Sequence, residues 1–210
     1  MLVNYDMNLE PFDKKQSEAA WLVHACALAN GSVAFGLANT LAGDSVLITG
    51  VSLYMIHRLG KLYQVADVNG KQIITQIVTH YAAPLLGAKL LFWLPGIGNW
   101  ANAAGMSLLT EIIGWTCIIL FAKGHDAEGL SADDWNKLIR AAGRQARQHQ
   151  AANKALLKAM TAEERSRLAA LNKQLADKTL PQEAQDRIFQ ALTDLYTQVE
   201  TRISTGPVAK

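Results

Sequence analysis

Two long apolar runs separated by a Pro-Gly-Ile-Gly break constrain this chain more than any other feature. The first covers residues 73–94 and the second residues 102–122. Each is close to the ~20 residues that a helix, rising ~1.5 Å per residue, needs to cross a hydrocarbon layer. Pro95, Gly96 and Gly98 fall where a helical hairpin would turn, because proline lacks a backbone donor and glycine accepts turn geometry. The pattern predicts a membrane-inserted hairpin. Pro84 should kink its first arm, and Trp93 and Trp100 would mark the lipid–water boundary.

The charge distribution divides the chain around this hairpin. Of the 210 residues, 18% are charged, below the ~25% of an ordinary soluble domain. Between Gln16 and Ala122 the charges are confined to Glu18, Asp44, Arg58, Lys61, Asp67, Lys71, Lys89 and Glu111, whereas the chain beyond Leu130 is rich in charge and glutamine. The expected fold class is therefore all-α. A polar segment (1–16) leads into a helical membrane domain (17–125), followed by a soluble helical extension (130–204) and a short tail (205–210). A net charge of +2 is too small to argue for nucleic acid. Cys26 and Cys117 both sit in apolar runs and read as buried small hydrophobes. The N-terminus lacks the basic-then-apolar pattern of a cleaved signal peptide.

Residues 17–41 form a further apolar run dense in small side chains. Ala27 and Gly31, like Ser32 and Gly36, stand four apart, a spacing that lets helix backbones approach closely. Either a helix–helix seam in lipid or a buried helix of a soluble bundle would use it. The next helix, 44–63, carries His57, Arg58 and Lys61 near its C-terminus, where cations suit the helix dipole. It reads as an amphipathic helix at a membrane surface or as a packed helix. Asp67 to Gly70 is a turn signal. Beyond it, Ser131 begins a helix expected to reach Met160, with Asp133 and Asp134 in its first turn. Thr161 begins another, with Glu164 in capping-box position, and Pro181 opens the last, which runs to about Ile203.

Candidate chemistry is sparse. No nucleotide-binding loop, dinucleotide fingerprint, His-Glu-x-x-His pair or Gly-x-Ser-x-Gly elbow is present, so neither cofactor nor catalytic residue is expected. The five histidines lack metal-ligand spacing. Glu111 stands out as a carboxylate inside an apolar helix, where charge costs several kcal/mol, ~2.5–3.5 for aspartate on insertion scales. His80 and Lys89 on the opposite arm are its candidate partners. The set would form either a polar spot in a channel or an interhelical ion pair. Arg140, Arg144 and Arg147 form a candidate basic face for acidic headgroups or a partner, or simply a solvated helix surface.

The residues DSVLITGVSLYMIHRLGKLY and LPGIGNWANAAGMSLLTEIIGW resemble the YcjF-type domain of unknown function, which accompanies small GTPase domains in bacteria. The shared elements are Asp44 with Arg58, Leu59, Leu62 and Tyr63, then Pro95, Gly96 and Gly98 followed by Thr110 and Gly114. Ser52 and Gln64 stand where that family pattern has Gln and Gly. The resemblance covers about residues 17–125. It implies helical membrane association beside a GTPase and implies no catalytic residues.

These readings give two expectations from different classes. The first is a non-enzymatic integral membrane protein that oligomerises and perturbs or permeabilises the bilayer, its C-terminal helices docking a partner or signal. A bacterial stress or phage-defence effector would have this layout. It would sit in the bacterial inner membrane with its C-terminal region cytoplasmic. The second is a peripheral helical scaffold for a GTPase or another protein, without a pore.

Overall fold

Helix is the only regular structure among the described residues, as the periodic apolar patterns predict. The computed structural model describes residues 14–36, 44–66, 68–82, 98–125, 127–175, 177 and 179–205. Its helices are α1 (Lys14–Gly36), α2 (Asp44–Tyr63), α3 (Gly70–Ile77), α4 (Gly98–Phe121), α5 (Ala132–Ala159), α6 (Ala162–Leu175) and α7 (Gln182–Thr205). A single π-helical turn, Val78–Ala82, continues α3. Pro84, Lys89 and the Pro95–Gly96 turn lie outside the described residues.

Local chemistry sets the helix starts. Asn69 caps α3, its side-chain oxygen accepting from the Gln72 amide at 3.1 Å. Ser131 and Asp134 close a reciprocal capping box at α5, and Thr161 and Glu164 do the same for α6. These pairs satisfy orphan amides that every helix N-terminus leaves open. At the end of α2 the chain turns through Gln64, whose φ is +60°. The amides of Gln64 and Val65 return to the carbonyls of Lys61 and Gly60. Glycine would adopt that left-handed geometry without a Cβ clash.

Helix α4 is the centre of the fold. It is apolar nearly all round, as expected of a helix covered on every side. Among the described residues it is the one helix long and apolar enough to cross a membrane, over Ala104–Phe121, yet 72% of that window is buried inside the molecule. Helix α1 runs antiparallel to it: Val23 lies against Gly114, His24 against Glu111 and Asn30 against Thr110. Helix α5 runs antiparallel on another side, bringing Asn153 to Glu111 and His149 to Trp115. Trp115, Ile118 and Leu120 are wholly buried between them; each such side chain contributes ~1.5–3 kcal/mol through lost water contact. One continuous apolar core runs from Ala19 on α1 to Val199 on α7. Helix α7 closes it, with Tyr196 edge-on to Trp21 at 4.6 Å and Phe189 beside Tyr54 at 5.6 Å.

Both arms of the expected hairpin are helical where described, and the turn between them lies outside the described residues. The second arm is α4, beginning at Gly98, four residues before the expected 102. Of the first arm, residues 73–82 are helical and the remainder is outside the described residues. The polar C-terminal helices lie against the apolar N-terminal ones, with Leu138, Leu168 and Leu192 in the same core as Ile56 and Ile112.

Candidate functional site

A polar cluster sits inside this core where α1, α4 and α5 meet. Its centre is Glu111, which has no exposed surface. Oε1 faces His24 Nδ1 at 2.6 Å and accepts from Asn153 Nδ2 at 2.7 Å. Oε2 accepts from Trp115 Nε1, one turn further along α4, at 3.0 Å. Both carboxylate oxygens are therefore satisfied, which a charged group removed from water requires.

Aromatic rings wall the cluster. The His149 ring lies 4.3 Å from that of His24, and stacks on Trp115 at 5.8 Å with only 13° between planes. Burial and the neighbouring His24 push the His149 pKa down, and Glu111 opposes them. His149 thus prefers its neutral form in the fold. A cavity of about 10 Å³ opens beside Glu111 between α4 and α5, lined in part by Ser107, Gln150 and Asn153. It is about the size of one water molecule.

A second polar layer lies further along α1. Asn30 Nδ2 reaches Thr110 Oγ1 at 3.0 Å and Ser52 Oγ at 3.4 Å, and Asn30 Oδ1 accepts from Asn172 at 3.4 Å. Four helices, α1, α2, α4 and α6, converge on one buried amide. Thr110 and Gly114 both face α1. A Cβ on Gly114 would meet Val23, at 2.6 Å from Cγ1 and 3.0 Å from Cβ, so glycine here permits the closest approach of the two helices.

The expected site residues are distributed differently from the sequence reading. Glu111 is buried, but its described partners are His24, Trp115 and Asn153. His80 lies in the π-helical turn after α3, and Lys89 is outside the described residues. Ala27, Gly31 and Ser32 are buried within the chain itself, and Ser32 Oγ lies 3.9 Å from Met160 Sδ. Gly36 ends α1. Arg140, Arg144 and Arg147 are exposed on α5. Cys26 and Cys117 are buried and free. Sequence reasoning missed His24, Asn30, His149, Asn153 and Asn172. The available signal was His24 and Asn30 inside an apolar run, a polar pair six residues apart without an obvious partner.

The arrangement links α1, α4 and α5 through one carboxylate. The carboxylate is buried with both oxygens engaged, whereas Ser107 Oγ on the wall of the adjoining cavity is buried without a hydrogen-bond partner among the described residues. Among the described residues no three His, Cys, Asp or Glu side chains are placed to hold a metal ion. Comparison with family models, curated proteins and solved structures finds no match.

Proposed function

We propose that the chain is a non-enzymatic helical scaffold that docks a protein partner through its outer helices. The observation that carries this reading is the enclosure of α4. A permeabilising oligomer would need α4 for lipid, Glu111 for a water path and the small-residue face of α1 for a neighbouring copy. Within the single chain, α4 is covered by α1, α2 and α5, Glu111 is saturated, and Ala27, Gly31 and Ser32 are buried. Exposing any of these would strand polar partners or apolar surface, at a cost of several kcal/mol. The partner class is the one implied by the YcjF-type resemblance, a small GTPase, with the exposed arginines of α5 as the docking face.

A membrane reading keeps one specific support, the 18-residue window of α4 with mean hydropathy 1.7. In it, α4 and α1 leave the polar helices for the bilayer of a bacterial inner membrane, oligomerise there, and keep the C-terminal helices cytoplasmic. Cell fractionation followed by alkaline carbonate extraction separates the two readings. The scaffold is released as a monomer that stays in solution without detergent. Retention in the carbonate-washed membrane pellet overturns it, and ion flux through liposomes carrying that protein would establish the pore.

A further inference from the structure

A cleft apart from the Glu111 cluster shares none of that cluster's residues. It encloses about 630 Å³ where the last turns of α2 face the first turns of α7, with Val65 and Val68 along one wall. That volume lies within the ~300–1,000 Å³ typical of small-ligand sites. His57, Arg58 and Lys61 enter it from α2, and Gln182 and Gln185 from α7. A second cleft of about 380 Å³ shares Tyr54, His57, Val68 and Gln185 with the first and adds Lys71 and Leu53.

We propose that this double cleft binds a phosphate ester. Three permanent cations, Arg58, Lys61 and Lys71, line a concave surface that also offers two side-chain amides. Asp186 pairs with Arg58 and orients it, offsetting one of the three charges. Its Oδ1 accepts from Tyr54 Oη at 3.1 Å, and Arg58 Nη1 lies 3.2–3.3 Å from its two oxygens. Lys61 Nζ is held at 3.0 Å from Gln182 Oε1. Cations fixed in this way lose little freedom when a ligand arrives. Arginine and lysine together supply the directional and point-charge donors that phosphate oxygens take. Val65, Val68 and Leu53 give apolar surface to the organic part of an ester. The ester could come from a soluble metabolite or from a lipid headgroup, and the chemistry is the same.

The test uses the purified full chain. Calorimetric titration with inorganic phosphate and with glycerol 1-phosphate covers the soluble source. Cosedimentation with phosphatidylcholine vesicles, with and without phosphatidic acid, covers the lipid source. Lys61→Gln should weaken binding about tenfold, the loss expected when one charge-assisted hydrogen bond is removed, and His57→Gln should weaken it less. Lys61→Arg should keep most of it. Lys61 and His57 are exposed, so unfolding midpoints should stay near wild type and report that the fold is intact. Lys158→Gln, an exposed cation on α5, should change nothing. Response to the soluble probes assigns a metabolite, and response to phosphatidic acid vesicles alone assigns a headgroup. Failure of all probes to bind overturns the site. So does a Lys158→Gln loss equal to that of Lys61→Gln, because the attraction would then be diffuse surface charge.

Discussion

Two glutamates hold this protein together in different ways. Glu111 has no exposed surface and takes hydrogen bonds from side chains on α1, α4 and α5. Glu164 sits at the surface, closes the capping box of α6, and is gripped by Arg202 of α7 at 2.6 and 2.9 Å. The bonds are of similar length, but the surroundings differ. Around Glu164 water competes for every partner and salt screens the pair, so its net worth is small. Around Glu111 bulk water is excluded, so an unmet group bears most of its desolvation cost. Hydrogen-bond geometry therefore says little about energetic weight until burial is known.

The comparison breaks most sharply at Glu111. Glu111→Ala leaves His24, Trp115 and Asn153 without their acceptor in a closed interior. Removing the shared partner of a buried hydrogen-bonded network of this kind costs about 3–5 kcal/mol. Glu111→Gln keeps the shape and one acceptor oxygen and should cost less. Urea unfolding followed by tryptophan fluorescence measures both, since Trp115 reports directly on the cluster. Near-wild-type stability of Glu111→Ala would mean that the three helices are held by apolar packing alone.

Gly114→Ala sharpens that question. It leaves Glu111 in place and instead forces a methyl group against Val23. Overpacking of this sort costs about 1–3 kcal/mol. Val23→Ala in the same chain frees the space and should recover part of the loss, a coupling read from a double-mutant cycle. Additive losses would show that α1 and α4 can separate without penalty at this point.

Much of the helical plan was readable without coordinates, because its determinants are local. Ser131 with Asp134, Thr161 with Glu164, and Pro181 each announce a helix start within four residues. The same locality explains why the described partners of Glu111 were not foreseen. His80 and Lys89 follow from assuming that α4 pairs with the arm directly before it. Helix α4 also packs on α1 and α5, and the described donors His24 and Asn153 lie 87 and 42 positions away in sequence. Hydropathy did not expose this topology. A helix surrounded by other helices and a helix surrounded by lipid are both apolar on every face, and α4 satisfies either description. Gln64 shows a further limit: it adopts a positive φ, which a glutamine does not announce in sequence.

At the surface the expected losses are smaller. Arg202→Met removes the grip on Glu164 and on the Ala159 carbonyl while leaving the capping box in place. The midpoint of thermal unfolding should fall by only a small fraction of the Glu111→Ala change, and the difference from wild type should shrink as salt is added. A loss as large as that of Glu111→Ala, or one insensitive to salt, would remove the distinction between the two glutamates.

Acid separates the two regions without relying on absolute stability. His149 has its pKa lowered in the fold from the ordinary 6.5, first by burial and then by His24. The unfolded chain therefore takes up this proton more readily than the folded one. Stability from this group is complete above pH 6.5 and declines as the pH falls below it. Glu164 works in a lower window. Arg202 and the Thr161 cap pull its pKa from 4.5 down to about 2. Its contribution is intact above 4.5 and disappears as the pH falls toward 2. The surface carboxylates Asp134 and Asp177 are lowered as well, so each window must be read as a difference between variant and wild type. His149→Gln should flatten the stability profile just below pH 6.5 and leave the lower limb unchanged. Arg202→Met should flatten the limb below 4.5 and leave the upper one unchanged. Urea midpoints across this pH range measure both. If His149→Gln alters only the lower limb, His149 titrates as it would in the unfolded chain, and burial beside His24 is not holding it neutral.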